Sequence, residues 1–292
     1  MKRRAFLQQT AIVSAGIIAM PGFAFKSNQK IGLQLYTLRD IIGTDLSGLL
    51  YYLFFFFYGE VEMYGLSTDN KFFGLTVTEV AAMLKANNLT SPGGHYSPDD
   101  FLFNNGNGDD VKKICDVANT LANNYVIIPW LDKKKINSID KYKGLAGRLN
   151  LAGEICKKAG LQLAYHNHDF EFEDINGQNG YDILLNHTDN NLVKMEMDLY
   201  WVVRAGHDPM ELFKAHPGRF HLWHVKDMDK NNKDQNTEVG NGCINFKKIF
   251  SMSKQAGVKH YIVEQENNYA PDYYGSITAS SKNLRKLLGK YM

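Results

Sequence analysis

Four apolar, strand-like segments of this chain end in side chains that bind metals or transfer protons. The clearest is residues 161–171, where an apolar and aromatic run breaks into two imidazoles and two carboxylates. Burying such groups without partners costs about 1–3 kcal/mol each, so we expect them to converge on a common target. The other segments are residues 193–198, 220–227 and 261–266. Because parallel strands present their carboxyl ends at one edge, the pattern predicts a site at one end of a parallel sheet.

Strand and helix patterns alternate along the whole chain, which predicts a single-domain α/β fold, a closed (β/α)8 TIM barrel over residues 25–292. A doubly wound open sheet is the alternative, but it normally has a glycine-rich phosphate turn after its first strand, and residues 36–40 form none. The predicted strands are 31–36, 58–64, 89–96, 125–130 and 161–166, with three more beginning near 193, 220 and 260. The predicted helices are 45–57, 76–86, 109–122, 139–158, 208–215, 245–256 and 276–289.

Two of these segments fit the barrel poorly. Residues 89–96 contain Pro92, Gly93 and Gly94, which disfavour strand pairing, and only their position in the order predicts a strand. Residues 49–58 are apolar or aromatic on every side, whereas an outer barrel helix should have one polar face. An interface in a homo-oligomer would explain such a surface.

The N-terminus resembles a twin-arginine export signal over residues 1–24. Arg3 and Arg4 precede Phe6 and Leu7, and an apolar run and a small-residue cleavage site follow. The apolar run is too short to span a bilayer, so we expect export to the periplasm without a stable membrane anchor; an uncleaved anchor is the alternative.

Charge and cysteine content exclude several classes of protein. The formal net charge is +2 with histidine neutral, which argues against a nucleic-acid partner. Cys115, Cys156 and Cys243 form no CxxC motif and lie in predicted helix or loop, so we expect a fold that does not depend on disulfides.

Taken in order, the strand-end motifs resemble the sugar isomerase/epimerase superfamily, whose members have a xylose isomerase-like barrel and which includes the endonuclease IV group. The resemblance covers nearly all of the chain after the signal. It rests on the segments 31–39, 61–63, 165–172, 198–201, 221–227 and 263–266.

The resemblance implies one divalent metal ion held at the ends of the fifth to eighth strands. Asp198, His224 and Glu264 match three of the family's ligand positions, and His166 occupies the first, where the family usually has Glu. The family's set of three oxygens and one imidazole suits Mn²⁺, Mg²⁺ or Co²⁺, whereas two imidazoles and two carboxylates shift the preference toward Zn²⁺, Mn²⁺ or Fe²⁺. We expect one divalent ion, with Mn, Zn, Mg and Co as the candidates.

The implied activity is isomerisation or epimerisation of a sugar or keto-sugar by proton transfer through a metal-stabilised enediolate. Glu264, His168 and Glu171 are the candidate acid/base residues. A lyase or dehydratase that eliminates from a keto-glycoside or inosose on the same site is the runner-up. An endonuclease-like phosphodiesterase would need more zinc ligands and a basic face, and a non-catalytic sugar-binding barrel would bind its ligand without metal.

Five further residues are candidates for contact with the sugar. Each also has a structural explanation: a salt bridge between Lys226 and Asp227 would account for that lysine, and aromatic residues in barrels often belong to the core. The five are Glu62, His95, Trp130, Lys226 and Tyr36.

Overall fold

The computed structural model describes residues 31–289. The predicted export signal, residues 1–24, lies outside the described residues and stays a prediction. Within the described range, no helix is both long enough and apolar enough to cross a membrane.

Eight parallel strands form the barrel, as predicted. In spatial order they run β2-β1-β8-β7-β6-β5-β4-β3, and isolated parallel bridges, including Met63 to Gly94, join β2 to the β3 segment and bring the ring close to closure. The strands are β1 Gly32–Gln34, β2 Glu60–Glu62, β3 Gly93–His95, β4 Tyr125–Ile128, β5 Gln162–His166, β6 Val193–Asp198, β7 Phe220–Val225 and β8 His260–Val263.

Helices cover the outside of the barrel and bury their apolar faces against the strands. The connecting helices are α1 Leu46–Phe55, α2 Val77–Ala86, α3 Asp109–Thr120, α4 Ile139–Lys158, α5 Gly180–His187, α6 Pro209–Ala215, α7 Phe246–Phe250 and α8 Tyr273–Leu288. Shorter helical turns are Leu35–Leu38, Arg39–Ile42, Asp99–Phe103, Phe170–Phe172, Leu199–Arg204 and Ser253–Ala256. Two small hairpins, Lys71–Phe72 with Leu75–Thr76 and Asp227–Met228 with Asn236–Thr237, follow β2 and β7.

Gly93, which disfavours the prediction of a third strand, is required by the packing of that strand. A Cβ on Gly93 would lie 2.7 Å from Ile127 Cδ1 and 3.2 Å from Tyr125 Cβ, both on the neighbouring strand. The strand is therefore short, and its pairing with β4 depends on close backbone approach.

Helix α1 explains the leucines of the aromatic segment but not its exposed aromatic residues. Leu46, Leu49, Leu50 and Leu53 are buried and recur at helical spacing, so the helix has an ordinary inner face. Its outer face is aromatic: Tyr51, Phe54 and Phe55 are each about half exposed. A homo-oligomer remains a prediction.

One helix that the sequence pattern does not predict, α5, follows β5, and the state of the cysteines can also be described. Helix α5 is not among the predicted helices; it begins at a glycine, and the Asn179 side chain caps it by accepting the Asp182 N–H at 2.8 Å. All three cysteines are free, as expected.

Candidate metal centre and pocket

Four side chains converge at the carboxyl ends of β5 to β8. His166, Asp198 and His224 belong to β5, β6 and β7, and Glu264 directly follows β8. Side chains alternate along a strand, and the last inward-facing position of each strand points at the same space above the barrel core. One potential ligand atom from each of the four lies within 4.8 Å of every other.

The individual distances leave room for a shared cation. His166 Nε2 lies 3.2 Å from His224 Nδ1, and His224 Nδ1 lies 3.1 Å from Glu264 Oε2. Asp198 Oδ1 accepts the N–H groups of Tyr200 and Trp201, at 2.8 and 3.1 Å. Its Oδ2 is buried, has no hydrogen-bond partner among the described residues and lies 3.7 Å from His166 Nε2. An orphaned carboxylate oxygen beside two imidazoles is the donor set that a divalent cation would satisfy.

The protonation states of His166 and Glu264 also suit a cation. Burial lowers the pKa of His166 well below its usual value, so the ring is neutral, as a ligand must be. Burial by itself would raise the pKa of Glu264, but Lys226 and His224 outweigh it and hold that pKa well below its usual range. Glu264 is therefore a carboxylate at neutral pH.

Lys226 is buried and is not among the residues that line the cavity, so substrate binding by Lys226 stays a prediction. Its side chain is fully buried, and Nζ pairs with Glu266 and lies 3.3 Å from Glu264 Oε2 and 3.7 Å from Asp198 Oδ2. It also does not pair with Asp227, whose carboxylate accepts four backbone N–H groups in the loop that follows. Lys226 instead balances the charge of the carboxylates at the centre.

Glu62 is likewise behind the site and not in contact with the pocket. It is fully buried, and its Oε2 accepts a hydrogen bond from Gln34 Nε2 at 2.5 Å and lies 2.9 Å from the Nε2 atoms of both His95 and His224. Glu196, which the sequence prediction did not single out, completes this deeper group: its Oε2 lies 2.8 Å from His95 Nε2 and 3.3 Å from His224 Nε2.

A cavity of about 620 Å³ opens above the four converging side chains. Such a volume accommodates a small organic ligand. Three of the predicted substrate residues, Tyr36, His95 and Trp130, line it, as do His166, His168 and Glu264. Tyr64 and Glu266 are lining residues that the sequence prediction missed. Trp130 and Tyr36 are 55% and 39% exposed, so their rings are available to a ligand.

His168 and Glu171, both predicted as acid/base residues, have different positions. His168 lines the cavity without belonging to the converging set, and burial lowers the pKa of its imidazole well below the usual value. Glu171 is fully buried and lies behind it, where its carboxyl group accepts the His168 backbone N–H at 2.9 Å and the Tyr165 hydroxyl. Glu171 thus holds the backbone of His168 and is not among the residues that line the cavity; its role as a catalytic group stays a prediction.

Residues 58–287 match the sequence pattern of the family described as xylose isomerase-like TIM barrel. The chain belongs to that family. The match and the barrel geometry agree with the resemblance seen in the strand-end motifs.

Relatives and solved structures add names at lower similarity. An inosose dehydratase from Clostridium perfringens is 29% identical over 159 residues, 49% of this chain and 53% of that protein, so the chain spans about half the length of the curated relatives it matches. A sugar phosphate isomerase/epimerase from Parabacteroides distasonis is 27% identical with a TM-score of 0.80, covering 90% of this chain and 95% of the other. The IOLI protein with a bound zinc atom has a TM-score of 0.71 at 16% identity and covers 90% and 99%; this likeness shows the fold alone.

Proposed function

We propose that this protein is a metal-dependent lyase that removes water from a keto-polyol or keto-sugar. The observation that carries the proposal is the convergence of His166, Asp198, His224 and Glu264, two of which, His166 and Glu264, line a cavity with exposed aromatic walls. The names of the curated relatives, inosose dehydratases, favour dehydration over the other outcomes of the same chemistry.

The four converging side chains would hold the cation. When bound there, a divalent cation polarises a substrate carbonyl and thereby acidifies the adjacent C–H bond. Lys226 keeps Glu264 ionised for this role, and Trp130 and Tyr36 provide aromatic faces for the ring of the substrate.

His168 is the residue to which we assign proton transfer. It lines the cavity, its ring is neutral, and Glu171 fixes its backbone. The imidazole takes the proton from the carbon next to the carbonyl, the C–H electrons form the new C=C bond, and the C–O bond at the next carbon breaks. The same imidazole then returns its proton to the departing hydroxide, so the products are the unsaturated ketone and water.

A second candidate is isomerisation or epimerisation, which returns the proton to carbon. The presence of Glu264 in the cavity wall beside His168 favours it, because inversion at a carbon needs a second base. The name of the Parabacteroides distasonis structure points the same way.

Product analysis in D2O separates the two candidates. Protein loaded with Mn²⁺ or Zn²⁺ is incubated with an inosose and with 3-keto-sugars, and the products are weighed by mass spectrometry. A dehydratase gives a product lighter by one water; an isomerase gives a product of the substrate's composition with deuterium at carbon. If neither product forms from any of the keto-substrates, the proposed function is refuted.

A variant tests the role of His168. His168→Gln should lower kcat by about 10²–10⁴ while the metal content is unchanged, because it removes the proton carrier and none of the four converging donors. His187→Gln, at an exposed histidine of α5, is the matched control and should keep full activity. An activity loss below threefold in His168→Gln would remove His168 from the mechanism.

A further inference from the structure

Beneath the four converging residues lies a second donor set, here called the inner cluster: Glu62, His95, Glu196 and His224. These side chains come from β2, β3, β6 and β7, so the inner cluster forms only in the closed barrel. His224 belongs to both sets. Its Nδ1 faces His166 and Glu264, and its Nε2 faces Glu62 and Glu196.

The spacing of the inner cluster is close to that of a metal's ligands. His95 Nε2 and His224 Nε2 lie 2.8–3.3 Å from the Oε2 atoms of Glu62 and Glu196. Ligands about 2.0–2.2 Å from a tetrahedral Zn²⁺ stand roughly 3.4 Å apart, so shifts of a few tenths of an ångström would admit a cation. The second oxygens of both carboxylates, Glu62 Oε1 and Glu196 Oε1, are buried without a hydrogen-bond partner among the described residues.

A second cation would also offset part of the negative charge that this group of carboxylates carries when ionised. Glu62, Glu196, Asp198 and Glu264 are buried together, with Glu266 beside them, and Lys226 is the lysine that pairs with this group. Lys226 and one divalent cation bound by His166, Asp198, His224 and Glu264 would offset the negative charges of three of these five carboxylates. Glu62 and Glu196 then face the rings of His95 and His224, and Gln34 donates a neutral hydrogen bond to Glu62. His224 cannot be positively charged while it binds a metal. A second divalent cation would offset the charges of both carboxylates; a His224 ring that bridges two metals also gives up its remaining ring proton and adds one negative charge.

We propose that the barrel binds a second divalent cation through Glu62, His95 and Glu196, with the His224 ring as the bridge between the two metals. The inference rests on the proposed function for its first metal. His95 lines the cavity, so the inner cluster has a route of entry from the solvent.

Metal stoichiometry tests the second site without an activity measurement. Purified full-length protein is stripped with a chelator, loaded with Zn²⁺ or Mn²⁺, passed through a desalting column and analysed by inductively coupled plasma mass spectrometry. Wild-type protein should retain two ions per chain and Glu196→Gln one. Glu60→Gln is the matched control, because Glu60 is also buried and lies 2.9 Å from a histidine, His260, at the opposite ends of the strands; it should retain two.

A second variant covers the case in which Glu196→Gln does not fold. His95→Gln changes a side chain at the cavity wall and should also retain one ion. One ion per chain in wild type, unchanged in both variants, would overturn the second site and leave the proposed function intact; Glu62 and Glu196 would then serve to orient His224. No retained ion in wild type would count against both proposals.

Discussion

Glu171 is a buried carboxyl group that holds the backbone of His168, the residue to which we assign proton transfer. Burial raises its pKa to about 7 from a usual 4.5, although hydrogen bonds from Tyr165 and from the His168 backbone oppose that shift. The folded state therefore binds a proton that the unfolded state has lost between about pH 4.5 and pH 7. Stability must fall as the pH rises through this window and level off above it.

We expect Glu171→Gln to remove this pH dependence of stability. The free energy of unfolding of wild type, relative to the variant, should be roughly 2–3 kcal/mol lower at pH 8 than at pH 5. Urea denaturation of metal-free protein at the two pH values measures it. Glu173→Gln, at an exposed glutamate two residues away, is the control. Equal pH profiles for wild type and Glu171→Gln would show that Glu171 is already ionised at pH 5.

At the scale of elements, the loop after β7 is organised around Asp227. Oδ1 accepts the N–H groups of Met228 and Ile244, at 2.8 and 3.2 Å, and Oδ2 accepts those of Gly240 and Gly242, at 2.8 and 3.0 Å. Both oxygens of a carboxylate accept hydrogen bonds, whereas an amide has one acceptor oxygen and one NH2 donor. Asp227 therefore holds the hairpin and the following loop at the carboxyl end of the barrel.

We expect Asp227→Asn to destabilise the protein by about 2–4 kcal/mol, because an amide NH2 group would face backbone donors in a buried position. Urea unfolding measures the loss, and hydrogen exchange should accelerate at Gly240 and Gly242. Asp229→Asn is the control, since Asp229 accepts two backbone N–H groups in the same hairpin at a more exposed position. Similar losses in the two variants would contradict the central role of Asp227.

For the whole molecule, a cation should tie together strands that are distant in sequence. A metal that binds only the folded state stabilises it by about 2.7 kcal/mol at a concentration of 100 Kd. The melting temperature should therefore rise by several degrees on addition of Zn²⁺ or Mn²⁺ and fall back with a chelator. Calorimetry of Asp198→Asn should show a much smaller rise, whereas Asp116→Asn, at an exposed position of α3, should behave as wild type. A full rise in Asp198→Asn would exclude Asp198 as a ligand.

Much of the fold could be predicted because local periodicity carries it. Helix α4 begins and ends at the predicted residues, and each barrel strand lies at or within its predicted segment. The elements that fit the local pattern least are α5, which starts at a glycine, and β3, whose Gly93 packs closely against β4. A single-sequence pattern contains no information on such contacts.

The sequence alone determined which side chains stand at the ends of the strands, because a period of two residues and parallel order are local properties. It therefore brought His166, Asp198, His224 and Glu264 together correctly. Only the tertiary structure decided depth: Glu62, Lys226 and Glu171 lie behind the cavity wall, and Glu196 meets His95 from 101 residues away. Depth depends on how the strands are staggered around the closed ring, which is set by packing across the barrel and not by any neighbouring residue.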